Sequence, residues 1–238
     1  MVDLADRTLQ LLADVLDDLE RTRVANEARL RQLTRTDADS DGLERGFGLD
    51  LAHPDVQRLA GIVDAIAQLE HQATLNVQRQ LRTHPLGSWA AAQRGVGEKQ
   101  AARLLAAVGD PYWNDLHDRP RTVGELWQYC GHGDPARSRK RRGSPIEHSP
   151  EAKTRVHLVA LSMLKAGNRA AYDDRRAVTF DRTHREPCVR CGPSGKPAPA
   201  GSEWSLGHRH ADALRVLGKQ GLLLPLWLAA REIHDVGP

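Results

Sequence analysis

Arg94-Gly95-Val96-Gly97-Glu98-Lys99-Gln100-Ala101-Ala102-Arg103-Leu104-Leu105 reads as a helix-hairpin-helix: a glycine-flanked turn that runs straight into an Ala/Leu helix. The two glycines let the backbone turn tightly and approach a ligand with no Cβ in the way. Val96 can tuck inward as the apolar plug of the turn. The N–H groups at the start of the following helix then face outward, where they can bind a phosphate oxygen, and Lys99 and Arg103 add charge. Ala101 and Ala102 are small enough for two helices to cross closely. An ordinary loop before a helix would share the Gly-x-Gly, but not the spacing and Ala/Leu pattern behind it. Gly95, Val96, Gly97, Lys99 and Arg103 are therefore expected to contact a nucleic-acid backbone.

C-terminal to this stretch, Gly109-Asp110-Pro111 stops the helix, and Thr122 with Glu125 three residues on forms a capping box. Trp127 and Tyr129 then read as core rather than base-stacking residues. A loop rich in Pro, Gly, Ser and Arg covers 133–150. Residues 151–172 form a helix with Val156, Val159, Ala160, Met163 and Leu164 as its buried stripe. N-terminal to it, residues 3–35 carry Leu4, Leu12, Val15, Leu16, Leu19, Leu30 and Leu33 on one helical face. From about 54 to 83, Val56, Leu59, Val63, Ile66, Leu69 and Leu81 repeat the pattern, with Pro54 where a helix can begin. These two helices suggest an antiparallel hairpin. The same pattern suits an intermolecular coiled coil, and so a homodimer through the N-terminal helices.

The 238 residues, 40% apolar, suffice for one sizeable core or two small ones. The net charge is only +3, but it is patterned, with an acidic beginning and a basic run at Arg137, Arg139, Lys140, Arg141 and Arg142. This asymmetry suits local anion binding and adds those five residues to the expected nucleic-acid contacts. Three cysteines do not make a disulfide framework, which points to a reducing cytoplasm. No apolar run approaches the roughly 18 residues that span a bilayer, and no membrane partner is expected. The Asp37-Ala-Asp39-Ser-Asp41-Gly42 stretch imitates a calcium loop, but its twelfth position is Gly48 instead of an acid, so it reads as a capped polar loop.

In order, the helical hairpin, "GVGEKQAARLLAAVGDP", "TVGELWQYCGHG", the Ser/Arg/Gly loop and "SPEAKTRVHLVALSMLKAG" resemble the C-terminal transposase domain of the IS-one-hundred-ten family of insertion-sequence recombinases. The resemblance covers roughly residues 55–175. It implies DNA as partner, branched or RNA-associated in that family, and a serine nucleophile in the loop after the "YxG" element. Here that serine is matched by Ser138, with Ser144 second. A serine among arginines can attack a phosphodiester while the guanidinium groups stabilise the transition state. The family's Ser-Gly-Gly run is replaced by Arg-Lys-Arg, which favours a phosphate-contacting basic loop over a nucleophile. The RuvC-like acidic half that precedes the coiled coil in that family has no counterpart in these residues, so recombination by this chain alone is not expected.

Cys188-Val-Arg-Cys191-Gly192, followed after a Pro/Gly/Ser-rich loop by His208-Arg-His210, reads as a zinc knuckle. Two thiolates on a tight turn and imidazoles returned by a loop complete a tetrahedral site. The expected ligands are Cys188, Cys191, His208 and His210, with His184 and Cys130 in reserve, and the zinc is structural. The same residues are loosely similar to an HNH nuclease, but the helix from Ala211 offers only Asp212 as a further ligand.

The expectation is a mainly α protein in three parts: a helical hairpin or coiled coil (1–85), a helix-hairpin-helix transposase-like domain (86–178), and a zinc-knuckle segment with C-terminal helices (179–238). Its expected function is DNA binding through backbone contacts. The alternatives are a strand-cleaving enzyme using Ser138 or an HNH-like centre, and a scaffold whose coiled coil is the working surface.

Overall fold

The computed structural model describes residues 3–134, 143, 145–193 and 196–236, which divide into two compact units. The protein is mainly helical, and no helix among the described residues is long and apolar enough to cross a membrane. The basic run 137–142, Ser138 and Ser144 lie outside the described residues.

Residues 7–80 form one unit, in which α1 (Arg7–Thr34) and α2 (Pro54–Thr83, its last turn in the other unit) match the two expected helices. Leu9, Ala13 and Leu16 are buried on α1, and Val56, Val63, Ala73 and Val77 on α2. Val15 and Leu69, expected in the stripes, are instead 52% and 57% exposed, because the buried rows follow residues three and four apart along a different phase of each helix. Arg23 ties the two helices by donating to Glu70 at 2.6 Å, and it also bonds to Glu27. In the connecting loop, Asp39 and Asp41 are taken by Arg35 and Arg45, an arginine-clamped polar loop rather than a cation loop.

The second unit joins residues 3–6 to 81–236, so the segments expected as separate parts at 86–178 and 179–238 lie in one compact unit. It comprises α3 (Gly87–Ala92), α4 (Glu98–Val108), a hairpin of β1 (Trp113–Asn114) and β2 (Arg119–Pro120), α5 (Val123–Tyr129), α6 (Pro150–Lys165), α7 (Ala170–Val178) and α8 (Leu206–Val216). A π-helical segment (Leu217–Leu223) then continues into α9 (Leu224–Val236). Thr122 starts α5 with the full capping box: its side chain accepts from Glu125 N–H, and the Glu125 carboxylate accepts from Thr122 N–H at 2.8 Å. Ser149 caps α6, and Pro150 follows at its first position.

α6 ends at Lys165, well short of the expected 172. Gly167, at φ +82°, closes it in a Schellman turn, with Gly167 N–H donating to Leu164 O and Asn168 N–H to Met163 O. α6 buries Ala152, Val156, Val159, Ala160 and Met163 against α4, α8 and the π segment. Each of its larger apolar side chains contributes roughly 1.5–3 kcal/mol by leaving water. From Leu206 to Val236 the helix is continuous. Pro225 offers no N–H to the carbonyl four residues back, and the wider π turns just before it accommodate that missing bond.

Candidate metal centre

His184, Cys188, Cys191 and His208 each place a ligand atom within 4.8 Å of the other three. Short antiparallel bridges build the frame. His184 N–H donates to Ser202 O, and Gly201 N–H donates back to His184 O. Cys188 and Ala198 exchange a pair of backbone bonds at 2.9 Å. Between these rungs the chain folds into the Cys-x-x-Cys knuckle, closed by Cys191 N–H to Cys188 O. Ser205 then starts α8 by accepting from His208 N–H, which sets His208 in the first turn of that helix.

The distances suit a tetrahedral ion. His208 Nδ1 lies 3.7 Å from Cys188 Sγ and 3.3 Å from Cys191 Sγ. Zinc bonds of about 2.3 Å to sulfur and 2.0–2.1 Å to nitrogen imply an S···N edge of roughly 3.5 Å. His184 Nε2 is buried and makes no hydrogen bond, a costly state for an imidazole nitrogen that coordination would relieve. The Trp204 ring stacks on His208 at 4.1 Å, with the planes 5° apart, and Arg182 lies over the Trp204 ring at 4.7 Å. These contacts fix the His208 ring. Burial alone would raise the Cys191 thiol, but hydrogen bonds from the Ser205 side chain and N–H, with Cys188 and the Arg190 guanidinium, outweigh it and hold the thiol below its ordinary range. That favours the thiolate a metal needs. The four residues can therefore hold a metal ion.

His210 is not one of the four. Residues two apart on a helix point about 200° apart, so with His208 turned to the cysteines, His210 faces α7, where its Nδ1 lies 2.8 Å from Tyr172 Oη. His184, held in reserve by the sequence reading, takes its place. Cys130 lies at the end of α5, fully buried, its thiol pushed up to about 12 by burial. Asp212, the carboxylate an HNH-like centre would recruit, instead accepts from Arg175 Nε at 2.5 Å.

The expected nucleic-acid residues on α4 separate into two groups. Gly95 has φ +83°, and a Cβ there would fall 2.7 Å from Met163 Cα and 2.8 Å from Ala166 Cβ, so this glycine packs the turn onto the end of α6. Asn168 Nδ2 locks the same joint by donating to Arg94 O. Val96 is buried as the plug. Gly97 caps α4 with no side-chain bond to the first N–H groups, and it is exposed with open space where a Cβ would be. Arg103, expected to contact the nucleic-acid backbone, is only 4% exposed, because α4 is buried on every side from Ala101 to Leu105. Glu98, at the first position of α4, accepts from Nε and Nη2 of Arg82, each at 2.8 Å, which keeps its carboxyl below the usual range. Trp127 and Tyr129, expected in the core, are not buried in it: Trp127 is half-buried with Lys219 Nζ 4.1 Å over its ring, and Tyr129 is 37% exposed, its hydroxyl donating to Ala107 O.

Compared with protein families, curated proteins and solved structures, the chain has no match.

Proposed function

We propose that this protein binds DNA through its phosphate backbone, with α3, the Gly95–Gly97 turn and α4 acting as a helix-hairpin-helix, and that a structural zinc ion on His184, Cys188, Cys191 and His208 holds its C-terminal segment. The observation that carries the DNA reading is the asymmetry of the turn. Gly95 is pressed into the fold while Gly97, which starts α4 without a capping side chain, has open space beside it. Backbone N–H groups presented this way, with the helix dipole behind them, suit an anion such as a phosphodiester. Arg82 neutralises Glu98, which would otherwise repel that anion. The basic run 137–142 supplies further sequence-independent attraction.

The zinc reading rests on the chemistry of the donor set. Two thiolates and two imidazoles leave no open position on a tetrahedral ion, which makes the role structural. Fluorescence anisotropy with duplex, branched and single-stranded DNA over a salt series, with the same samples run on a denaturing gel, tests the DNA reading. The expected result is salt-dependent binding with intact strands, lost in the double variant Gly97→Glu, Lys99→Glu. Cut or covalently shifted strands would replace this reading with a strand-cleaving one. Salt-insensitive self-association without binding would replace it with a scaffold.

A further inference from the structure

The helical hairpin of residues 7–80 has little interior of its own. On α1 the buried apolar side chains are Leu9, Ala13 and Leu16, and no residue of that helix beyond Leu16 is buried, although Leu19, Leu30 and Leu33 follow. The α2 side of the seam supplies Val56, Val63, Ala73 and Val77. A single seam between two helices is thin for a unit below roughly 80 residues, and oligomerisation is one way such units gain a core.

A second apolar row lies outside that seam. On α1 it is Leu12, Val15 and Leu19, and on α2 it is Ile62, Ile66 and Leu69, each with the three-and-four spacing of one helix face. Val15, Ile62 and Leu69 are more than half exposed, and the other three are half-buried. At about 100° per residue, both rows are rotated from the buried ones by about a quarter turn in the same sense. Antiparallel helices wind in opposite senses when viewed from one end, so equal rotations bring both rows to the same side of the hairpin. That side is about 42 Å long, from the 28 residues of α1, and about 20 Å across two helices. It therefore offers about 800 Å² per copy, the size a stable dimer needs.

The charges of α1 decide the occupant. Arg7 against Asp14, Asp17, Asp18 and Glu20 gives its first half a formal charge of −3, while Arg21, Arg23, Arg29 and Arg31 against Glu27 gives its second half +3. Two copies laid in parallel would set like charge on like. Laid antiparallel, each acidic half meets a basic half, twice over by the two-fold symmetry. Leu30 and Leu33 continue the α1 row beyond Thr22 and Asn26, so the same reversal lays these leucines of one copy against Leu12, Val15 and Leu19 of the other.

We propose that this face is a self-association surface: a second copy of the chain packs its hairpin antiparallel on it, and the two hairpins form a four-helix bundle. The proposal is independent of the DNA reading, which rests on the other unit and keeps its own test.

Sedimentation equilibrium of the full-length, zinc-loaded protein over a micromolar concentration series tests it. The expected result is a monomer–dimer equilibrium that weakens as salt rises. A monomer throughout overturns the proposal. The double variant Ile62→Glu, Leu69→Glu places carboxylates where the side chains of a single copy are exposed, and it is expected to be monomeric; a dimer as tight as the wild type overturns the face. If circular dichroism shows that this variant has lost helix, the double variant Asp14→Lys, Asp18→Lys decides, because it keeps both apolar rows and turns the acidic half of α1 basic. Its dimer is expected to be ~10-fold weaker at low salt, with the difference from the wild type shrinking as salt is added. An unchanged dimer at low salt overturns the antiparallel arrangement.

Discussion

Two neighbouring glycines have opposite roles. Gly95 requires a positive φ and lies against α6, so Gly95→Ala combines left-handed strain with overpacking and should cost roughly 2–4 kcal/mol of stability in urea unfolding. Gly97 has an ordinary φ of −72° and open space beside it, so Gly97→Ala should stay within about 1 kcal/mol. Equal losses would refute the asymmetry on which the DNA reading rests. The ligand set is tested at the same scale: His184→Ala, Cys191→Ser and His208→Ala should each lower bound zinc in metal analysis after dialysis, whereas His210→Ala should retain one equivalent. The knuckle was legible from its Cys-x-x-Cys, and His208 from its distance beyond it. His208 and His210 could both ligate only from extended or turning chain, and Ser205, three residues before His208, caps a helix there instead. His184 carried only the weak signal of a histidine four residues before the first cysteine.

At the level of elements, the local signals served well wherever chemistry is short-range. The Thr122 box and Pro54 placed helix starts, because the signals involved lie within one turn. The end of α6 was missed although Gly167 marked it, since the apolar period continues past the glycine into α7. The phases of α1 and α2 were only partly legible, because the apolar residues there outnumber one stripe and packing selects among them. Thr122→Ala should destabilise the protein by about 1 kcal/mol.

His132 gives this region its pH dependence. Its folded value of about 4 lies below the ordinary 6.5, so the unfolded chain binds the extra proton between those values. Its contribution, of order 3 kcal/mol, is full above pH 6.5 and is lost as the pH falls toward 4. Urea midpoints measured across that window should decline, and more gently in His132→Leu.

For the molecule as a whole, sequence indicated three parts where the chain forms two compact units. The order of elements was readable, but long-range packing was not: nothing local in α6 announces that α8 and the π segment will share its apolar face. This arrangement gives metal removal a bounded effect. A chelator should open the 180–205 stretch, which has few apolar residues of its own, to limited proteolysis, while α1 and α2 remain resistant. Uniform digestion of the whole chain would contradict that division.

The π segment has a consequence for how one helix meets two demands. Its N-terminal part must turn His208 toward the knuckle, and its C-terminal part must bring Trp227 Nε1 to Arg121 O and His234 to Asp110, a pair 2.7 Å apart with both side chains almost wholly buried. A helix advances 100° per residue, so these two docking faces are compatible in only one angular offset. The wider turns act as a phase shifter that supplies this offset within a single unbroken rod. Deleting Gln220 from the exposed side of the segment should let the rod close to plain α geometry, the residue lost and the tighter winding roughly cancelling, so that His208 and His234 both keep their directions. A second residue deleted there would turn everything beyond it by about 100° and swing His234 away from Asp110.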